Sequence, residues 1–98
     1  MSKLHVYRLS GGALVLDLQA DAVESGSRVV APLLPADQGR WQTSRMHPVL
    51  LVNGERYRLR TEALGAVKTH QLSRDAIADL SAAHDAVRDA LDLLFQGY

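Results

Sequence analysis

The sequence contains no cysteine, which excludes disulfide bridges and thiolate metal sites. Its 98 residues must form a core without covalent links, or share burial with another subunit. The absence of cysteine also fits a cytoplasmic protein, which is the location we expect. No apolar run approaches the ~20 residues of a membrane-spanning helix, so we expect no membrane association.

The formal net charge is zero, because eleven basic residues balance eleven acidic ones. Proteins that act directly on nucleic acid usually carry a basic excess or a basic stripe, so we expect no direct nucleic-acid binding. The hydrophobic content of 47% excludes a disordered chain. The length predicts a single domain spanning residues 1 to 98.

Alternating apolar residues predict a series of short strands. Leu4 to Leu9 and Leu14 to Leu18 alternate on either side of Ser10-Gly11-Gly12, a turn sequence, and so predict a β-hairpin. Arg28 to Leu34 predicts a third strand, and Leu64 to Leu72 a later one.

A second hairpin is predicted where the apolar segment from Pro48 to Val52 is followed by Asn53-Gly54, because both turn residues accept the positive φ of a type I′ turn. On the returning strand, three arginines alternate with other residues and are expected to share one face: Arg56, Arg58 and Arg60. Arginine pairs bidentately with carboxylates, so this face is a candidate site for an acidic partner segment. The alternative is a solvated sheet face protected by charge.

The only tryptophan, Trp41, lies in the polar segment of residues 35 to 45. It is either an anchor that packs the loop on the core or a contact for a partner. We expect the anchor.

In the last quarter of the chain, the apolar residues recur at spacings of three and four. This pattern predicts an amphipathic helix from about Ala82 to Phe95, after a short turn from Arg74 to Asp79. Ser73 and Ser81 are candidate N-caps. The predicted fold is mainly β, an antiparallel sheet followed by one C-terminal helix. The apolar helix face is large for so small a domain, and a twofold homodimer interface would bury its last three members: Leu91, Leu94 and Phe95.

No constellation of residues calls for catalysis, a metal or a cofactor. The four histidines show no metal-ligand spacing: His5, His47, His70 and His84. Ser81, His84 and Asp85 are adjacent on one predicted helix, which is not the geometry of a catalytic triad. We therefore expect that the protein is not an enzyme.

The last six residues read LLFQGY. Gln96 can serve as the C-cap and Gly97 can adopt the left-handed conformation that ends many helices, with Tyr98 packed back on Leu93. A carboxylate at this end is opposed by the helix dipole, so we expect that the end itself contacts a partner.

Several of these segments, in this order and spacing, resemble the CcdB family, the gyrase-poisoning toxins of plasmid type II toxin–antitoxin modules. The resemblance runs along the whole chain and is carried by Val6-Tyr7; Leu16-Asp17-Leu18-Gln19 with Asp21; Arg28-Val29-Val30 with Pro32-Leu33; Pro48-Val49 and Thr61; Ile77-Ala78-Asp79-Leu80-Ser81; and Leu93-Leu94-Phe95 with Gly97.

The resemblance implies a homodimer of SH3-like β-barrels, each with a C-terminal helix. It implies that the paired chain ends, here Gln96, Gly97 and Tyr98, wedge into the DNA-cleaving subunit of DNA gyrase and trap the cleaved-DNA complex. It further implies a CcdA-like antitoxin whose disordered half wraps the toxin, for which the arginine face offers a site, and DNA contact with autoregulation only through that complex.

The family motif after the phenylalanine is Trp-Gly-Ile, whereas this chain has Gln96-Gly97-Tyr98. The glycine carries over and the tryptophan does not. Either Tyr98 supplies the aromatic contact, or poisoning has been lost, or the protein acts on another target. The second reading leaves an antitoxin-binding homologue that does not poison.

A further reading is a MazF-like endoribonuclease, since those toxins share the barrel. Their arginine-proline-valine-valine stretch is only partly matched by Arg28-Val29-Val30-Ala31-Pro32, and the neutral charge argues against an RNA substrate.

Overall fold

A computed structural model describes residues 1–20, 26–41 and 43–97. In these ranges the chain forms seven strands: β1 (His5–Arg8), β2 (Leu14–Asp17), β3 (Ser27–Pro35), β4 (Val49–Val52), β5 (Glu55–Leu59), β6 (Gly65–Lys68) and β7 (Ala78–Asp79). One α-helix, α1 (His84–Gln96), ends the fold. Short 3₁₀ helices lie at Thr61–Ala63, Thr69–Gln71 and Ser81–Ala83.

The strands pair antiparallel in the order β4-β5-β3-β2-β1-β7, and β6 also pairs with β3. Strand β3 is long enough to pair with two strands along one edge. Its residues Ser27–Val30 pair with β6, and Leu33–Pro35 pair with β5. The sheet therefore curls into a nearly closed barrel. The predicted fold, a mainly β antiparallel barrel with one C-terminal helix, is confirmed.

The core has two parts because β1 and β2 are buried on both faces. Val6 and Leu16 face the larger cluster, which the helix covers with Val87. Tyr7 and Val15, the alternating neighbours, face a smaller cluster on the other side of the sheet. All four residues of β2 are buried, because this strand has neighbours on both edges and a core cluster on each face.

The predicted hairpin turn at Asn53-Gly54 is present, with φ of 51° and 87°. Both values lie in the region that a type I′ turn requires, and Val52 pairs with Glu55 across it. The strand predicted from Leu64 to Leu72 is shorter, because β6 ends at Lys68 and a 3₁₀ helix follows.

The helix lies where the period predicts it, but both predicted serine caps are wrong. The N-cap position of α1 is Ala83, which has no side-chain cap, and Ser81 begins the 3₁₀ helix before it. The backbone N–H and the hydroxyl of Ser81 both donate to Asp79 Oδ1, the N–H at 2.9 Å. The Ser73 hydroxyl oxygen instead accepts the backbone N–H of Arg8 at 3.0 Å and so ties a later loop to β1. None of the helices in the described ranges is both long and apolar enough to cross a membrane.

Candidate partner-binding surfaces

The end of α1 is defined by Gly97, whose φ of 80° is left-handed and whose N–H donates to the Leu93 carbonyl at 3.0 Å. A residue with a side chain adopts this backbone conformation at a cost of about 1–2 kcal/mol, so glycine fits here. Gln96 and Gly97 are both exposed. Tyr98, the third residue of the predicted gyrase-binding tail, lies outside the described residues.

The three residues predicted for the dimer interface differ in burial. Phe95 has 71% of its surface exposed, the largest fraction among the large hydrophobic residues that the structure describes. Leu91 and Leu94 are both half-buried, and Leu91 packs against the core of its own chain. A single exposed leucine is normal on a protein surface, whereas the exposed ring of Phe95 indicates a contact surface, because it offers a large apolar area.

A bidentate ion pair ties the middle of α1 to the loop before β4. Arg45 places Nε and Nη2 3.1 Å from the two carboxylate oxygens of Asp89, and both side chains are about half exposed. The hydrogen bond and charge of Arg45 hold the pKa of Asp89 below its ordinary value, and Arg88 adds to the effect. The pair, together with buried Val87, fixes the helix on the barrel.

The predicted arginine face divides into one exposed and two engaged side chains. Arg56 is exposed on β5, whereas Arg58 and Arg60 are half-buried. Arg58 donates from Nη1 to the His47 carbonyl at 2.8 Å. Arg60 lies beyond the end of β5, so strand alternation does not apply to it.

Trp41 is held by these two arginines and a histidine. The guanidinium carbons of Arg60 and Arg58 lie 4.7 Å and 5.8 Å from the centre of its ring, within cation–π range. Its edge meets the ring of His47, with centroids 5.2 Å apart. Within the described part of the chain, the indole N–H of Trp41 is buried and has no acceptor. The expected anchor role fits this geometry, but the anchor is a charged and aromatic cluster rather than the apolar core.

His47 is completely buried, and Nε2 lies 2.7 Å and 2.8 Å from the two carboxylate oxygens of Glu62. Because an ionised carboxylate only accepts, the ring nitrogen donates. The sequence indicates only that His47 has no metal-ligand spacing, and it does not single out Glu62. The apolar segment that begins at Pro48 could have indicated that the adjacent His47 is buried. Its carboxylate partner lies fifteen residues away and could not be found in this way.

A cleft of about 490 Å³ opens beside the arginine face and is lined by Pro35, Ala36, Asp37, Glu55, Arg56 and Arg58. It offers two guanidinium groups but also two carboxylates. A partner segment there would meet a mixed charge pattern rather than a uniformly basic one.

Two of the segments that carry the family resemblance meet in a buried ion pair. Arg28 donates from Nε to Asp17 Oδ2 at 2.8 Å, with 5% and 0% of their side chains exposed. Arg28 also donates to the Gln19 carbonyl at 3.1 Å, and the Gln19 side chain accepts the Val29 N–H at 3.1 Å. Arg28 is thus buried and paired with a carboxylate inside the barrel.

The remaining polar candidates do not converge. Within residues 1–20, 26–41 and 43–97, no group of three or more side chains could hold a metal ion. The Ser81 hydroxyl donates to Asp79, while His84 lies 3.3 Å from Asp85, so no relay passes from serine to histidine.

Comparison with known proteins agrees with this architecture. The family described as CcdB protein matches residues 3–97, almost the whole chain. None of the curated proteins compared with the chain matches it. The chain belongs to the CcdB family, the toxins of type II toxin–antitoxin modules.

Proposed function

We propose that the protein poisons DNA gyrase by inserting residues 96 to 98 into the DNA-cleaving subunit of that enzyme, and that a cognate antitoxin neutralises it. The proposal rests on family membership together with one observation: α1 ends in an exposed apolar ring followed by a left-handed glycine. The protein then acts by binding rather than by catalysing a reaction.

The geometry of the helix end supports this role. Phe95 and Gln96 occupy the last helical positions, and Gly97 turns the chain away from the helix axis. The turn is held by a backbone hydrogen bond and therefore does not depend on the side chain at position 96. Replacement of the family tryptophan by Gln96 leaves this backbone intact while removing an aromatic surface.

Phe95 is the side chain best suited to make up for that loss. Aromatic residues are enriched among the anchors that carry interface energy. Phe95 adjoins Gln96 and already exposes most of its ring. In the proposed complex one edge of the ring contacts gyrase beside the tail, while the rest of the ring and Leu94 contribute to the twofold homodimer interface.

The antitoxin is proposed to bind across the arginine face. Arg56 is exposed and supplies the charge that an acidic segment would meet first. Arg58 and Arg60 contribute mainly by fixing Trp41, so changing them would alter the surface as well as its charge.

A second candidate is a family member that binds antitoxin without poisoning gyrase. Gln96 favours it, because the position is exposed and carries no aromatic ring. Both candidates require the same fold and the same arginine face, so only an assay on gyrase separates them.

The test is DNA supercoiling by gyrase in the presence of the full chain and of a variant that lacks residues 96 to 98. We expect inhibition by the full chain and a loss of at least tenfold in potency for the truncated one. Circular dichroism and sedimentation provide the control that both are equally folded and associated. Inhibition by neither protein would support the antitoxin-binding candidate, and equal inhibition by both would place the contact away from the tail.

A further inference from the structure

Strand β4 lies at one end of the sheet order, and β7 lies at the other. Just beyond these strands, the Asn53 side-chain amide donates to the Ile77 carbonyl at 3.2 Å. Between them the barrel has an open seam. A cleft of about 310 Å³ lies along it, with Val49, Leu50 and Leu51 on one bank and Leu80, Ala82 and Ala83 on the other.

The backbone of β4 presents a regular set of groups to this seam. The Leu59 N–H donates to the Pro48 carbonyl at 3.1 Å, and the closing pair of the turn is Val52 with Glu55, so the ladder bonds of β4 fall on its even-numbered residues. The N–H and C=O groups of Val49 and Leu51 therefore point away from β5. In the described ranges, no further strand pairs with them.

Within β4 no side chain is charged and none is a proline. Edge strands generally carry a lysine, a proline or a bulge that discourages pairing with another chain. Here Leu51 has 61% of its surface exposed on the edge itself. The cleft is about as large as the smallest ligand pockets, roughly 300 Å³, and its lining includes one charged side chain, Asp79.

We propose that this seam binds an extended acidic peptide segment of a partner protein, which adds to β4 as an antiparallel strand. Only a polypeptide backbone matches a row of alternating N–H and C=O groups at this spacing. The inference deepens the proposed antitoxin interaction and rests on it for the identity of the partner.

The charge of the segment follows from the register of the hairpin. Leu51 pairs with Arg56, so the Arg56 side chain emerges on the outer face, about 10 Å or two strand spacings from an added strand. A glutamate on the outer face of the segment can reach that guanidinium. Asp79 lies on the opposite bank, where it already contacts His5 at 3.4 Å, so the inward residues of the segment are apolar.

The probe is a dye-labelled ten-residue peptide of alternating valine and glutamate, titrated with the full chain by fluorescence anisotropy at physiological salt. In the antiparallel arrangement the glutamates lie opposite Val49 and Leu51, and their amides face β4. We expect N-methylation of the glutamate amides to weaken binding at least tenfold and N-methylation of the valine amides to change it less than threefold. Equal effects of the two peptides, or no binding of the parent peptide, would overturn the proposal.

The protein variants are Leu51→Pro, which removes an edge N–H without touching the β4–β5 ladder, and Leu51→Lys, which keeps the N–H and adds an edge charge. Both should weaken peptide binding at least fivefold. Ala66→Pro is the matched control, because the alternation on β6 also turns the Ala66 N–H away from its partner strand. It should bind the peptide like the wild type, and a loss equal to that of Leu51→Pro would contradict the assignment to β4.

Gyrase inhibition by the same variants separates the two proposals. Leu51→Pro should inhibit gyrase as the wild type does. Wild-type protein that inhibits gyrase but does not bind the peptide would contradict the edge site alone. Peptide binding without gyrase inhibition would contradict poisoning and leave the edge site standing. A Leu51→Pro variant that dissociates into monomers, with no peptide binding by the wild type, would assign the edge to a second copy of the chain and overturn the proposal.

Discussion

At the residue scale, the buried pair of Asp17 and Arg28 explains why two separate sequence segments occur together. Each segment is recognisable as part of the family pattern, but neither segment indicates that Asp17 pairs with Arg28. The pairing depends on how β2 and β3 meet, since the sequence between the two residues does not determine the register of these strands. A buried charge is tolerated only when it is paired and hydrogen-bonded, and here both conditions are met.

Arg28→Ala leaves the Asp17 carboxylate buried without its charged partner. We expect the free energy of unfolding to fall by about 3–5 kcal/mol, measured by urea denaturation. Arg45→Ala is the control, because it removes one partner of a half-exposed pair and should cost far less. Equal losses for the two variants would contradict the structural role of the buried pair.

The Trp41 cluster is a second feature that sequence reasoning reached only in part. The anchor role was predictable from a lone aromatic residue in a polar loop. Its partners were not, because Arg60 and His47 are brought to it by β5 and by the start of β4.

Arg60→Ala removes the guanidinium stacked on the tryptophan ring. Because Trp41 is the only tryptophan, its fluorescence reports on this site alone. We expect the emission to shift to longer wavelength and acrylamide quenching to increase. Arg56→Ala, which changes an exposed arginine of the same predicted face, should leave both unchanged. A comparable shift in Arg56→Ala would mean that the ring is not held by Arg60.

At the scale of elements, the hairpin and the helix were predictable because their signals are local. Asn53-Gly54 determines its own turn, and the three-four spacing determines α1. The start of the helix was predicted to within two residues, but its serine cap was wrong, because Ser81 is a good cap by type and here begins the 3₁₀ helix that leads into α1. Arg60 was misplaced for a related reason: alternation holds only while the strand continues, and β5 ends at Leu59.

The hydrogen bonds that Asp79 accepts from Ser81 predict a dependence of stability on pH. Hydrogen bonds from the Ser81 hydroxyl and the Ser81 backbone N–H hold the pKa of Asp79 below its ordinary value. A lowered pKa in the folded state contributes stability that is present above the unfolded value of about 3.9 and is lost as the pH falls through the folded pKa. The difference in free energy of unfolding between the wild type and Asp79→Asn should therefore be largest at neutral pH and should shrink below pH ~4. Thermal unfolding across this range measures it. Asp75→Asn, at an exposed position, should show no such difference, and a difference for Asp79 that grows on acidification would contradict the assignment.

At the scale of the whole molecule, the described residues leave the seam beside β4 and the apolar end of α1 uncovered. The seam was not foreseen, because the pattern that predicts strands does not say which pair of them fails to meet. Contact of the helix end with a partner stays a prediction, and the exposure of Phe95 beyond Ala90, the last buried residue of α1, is consistent with it.

Phe95 carries the prediction of a homodimer. We expect a dimer at micromolar concentration in sedimentation, because a twofold contact would bury much of the exposed ring. Phe95→Ser should shift the equilibrium toward monomer by at least tenfold in the dissociation constant. Leu51→Ser removes an exposed apolar side chain of similar exposure from the other surface and should remain dimeric. A wild-type monomer would count against the interface.

The central claim, that residues 96 to 98 poison gyrase although position 96 carries glutamine, is tested most directly by the yield of cleaved DNA. Purified gyrase would be titrated with the wild-type chain and with Gln96→Trp, which restores the aromatic residue of the family motif. We predict that the wild-type protein traps the cleaved complex and that Gln96→Trp does so at a concentration at least tenfold lower. Absence of cleaved DNA with both folded proteins would contradict the account.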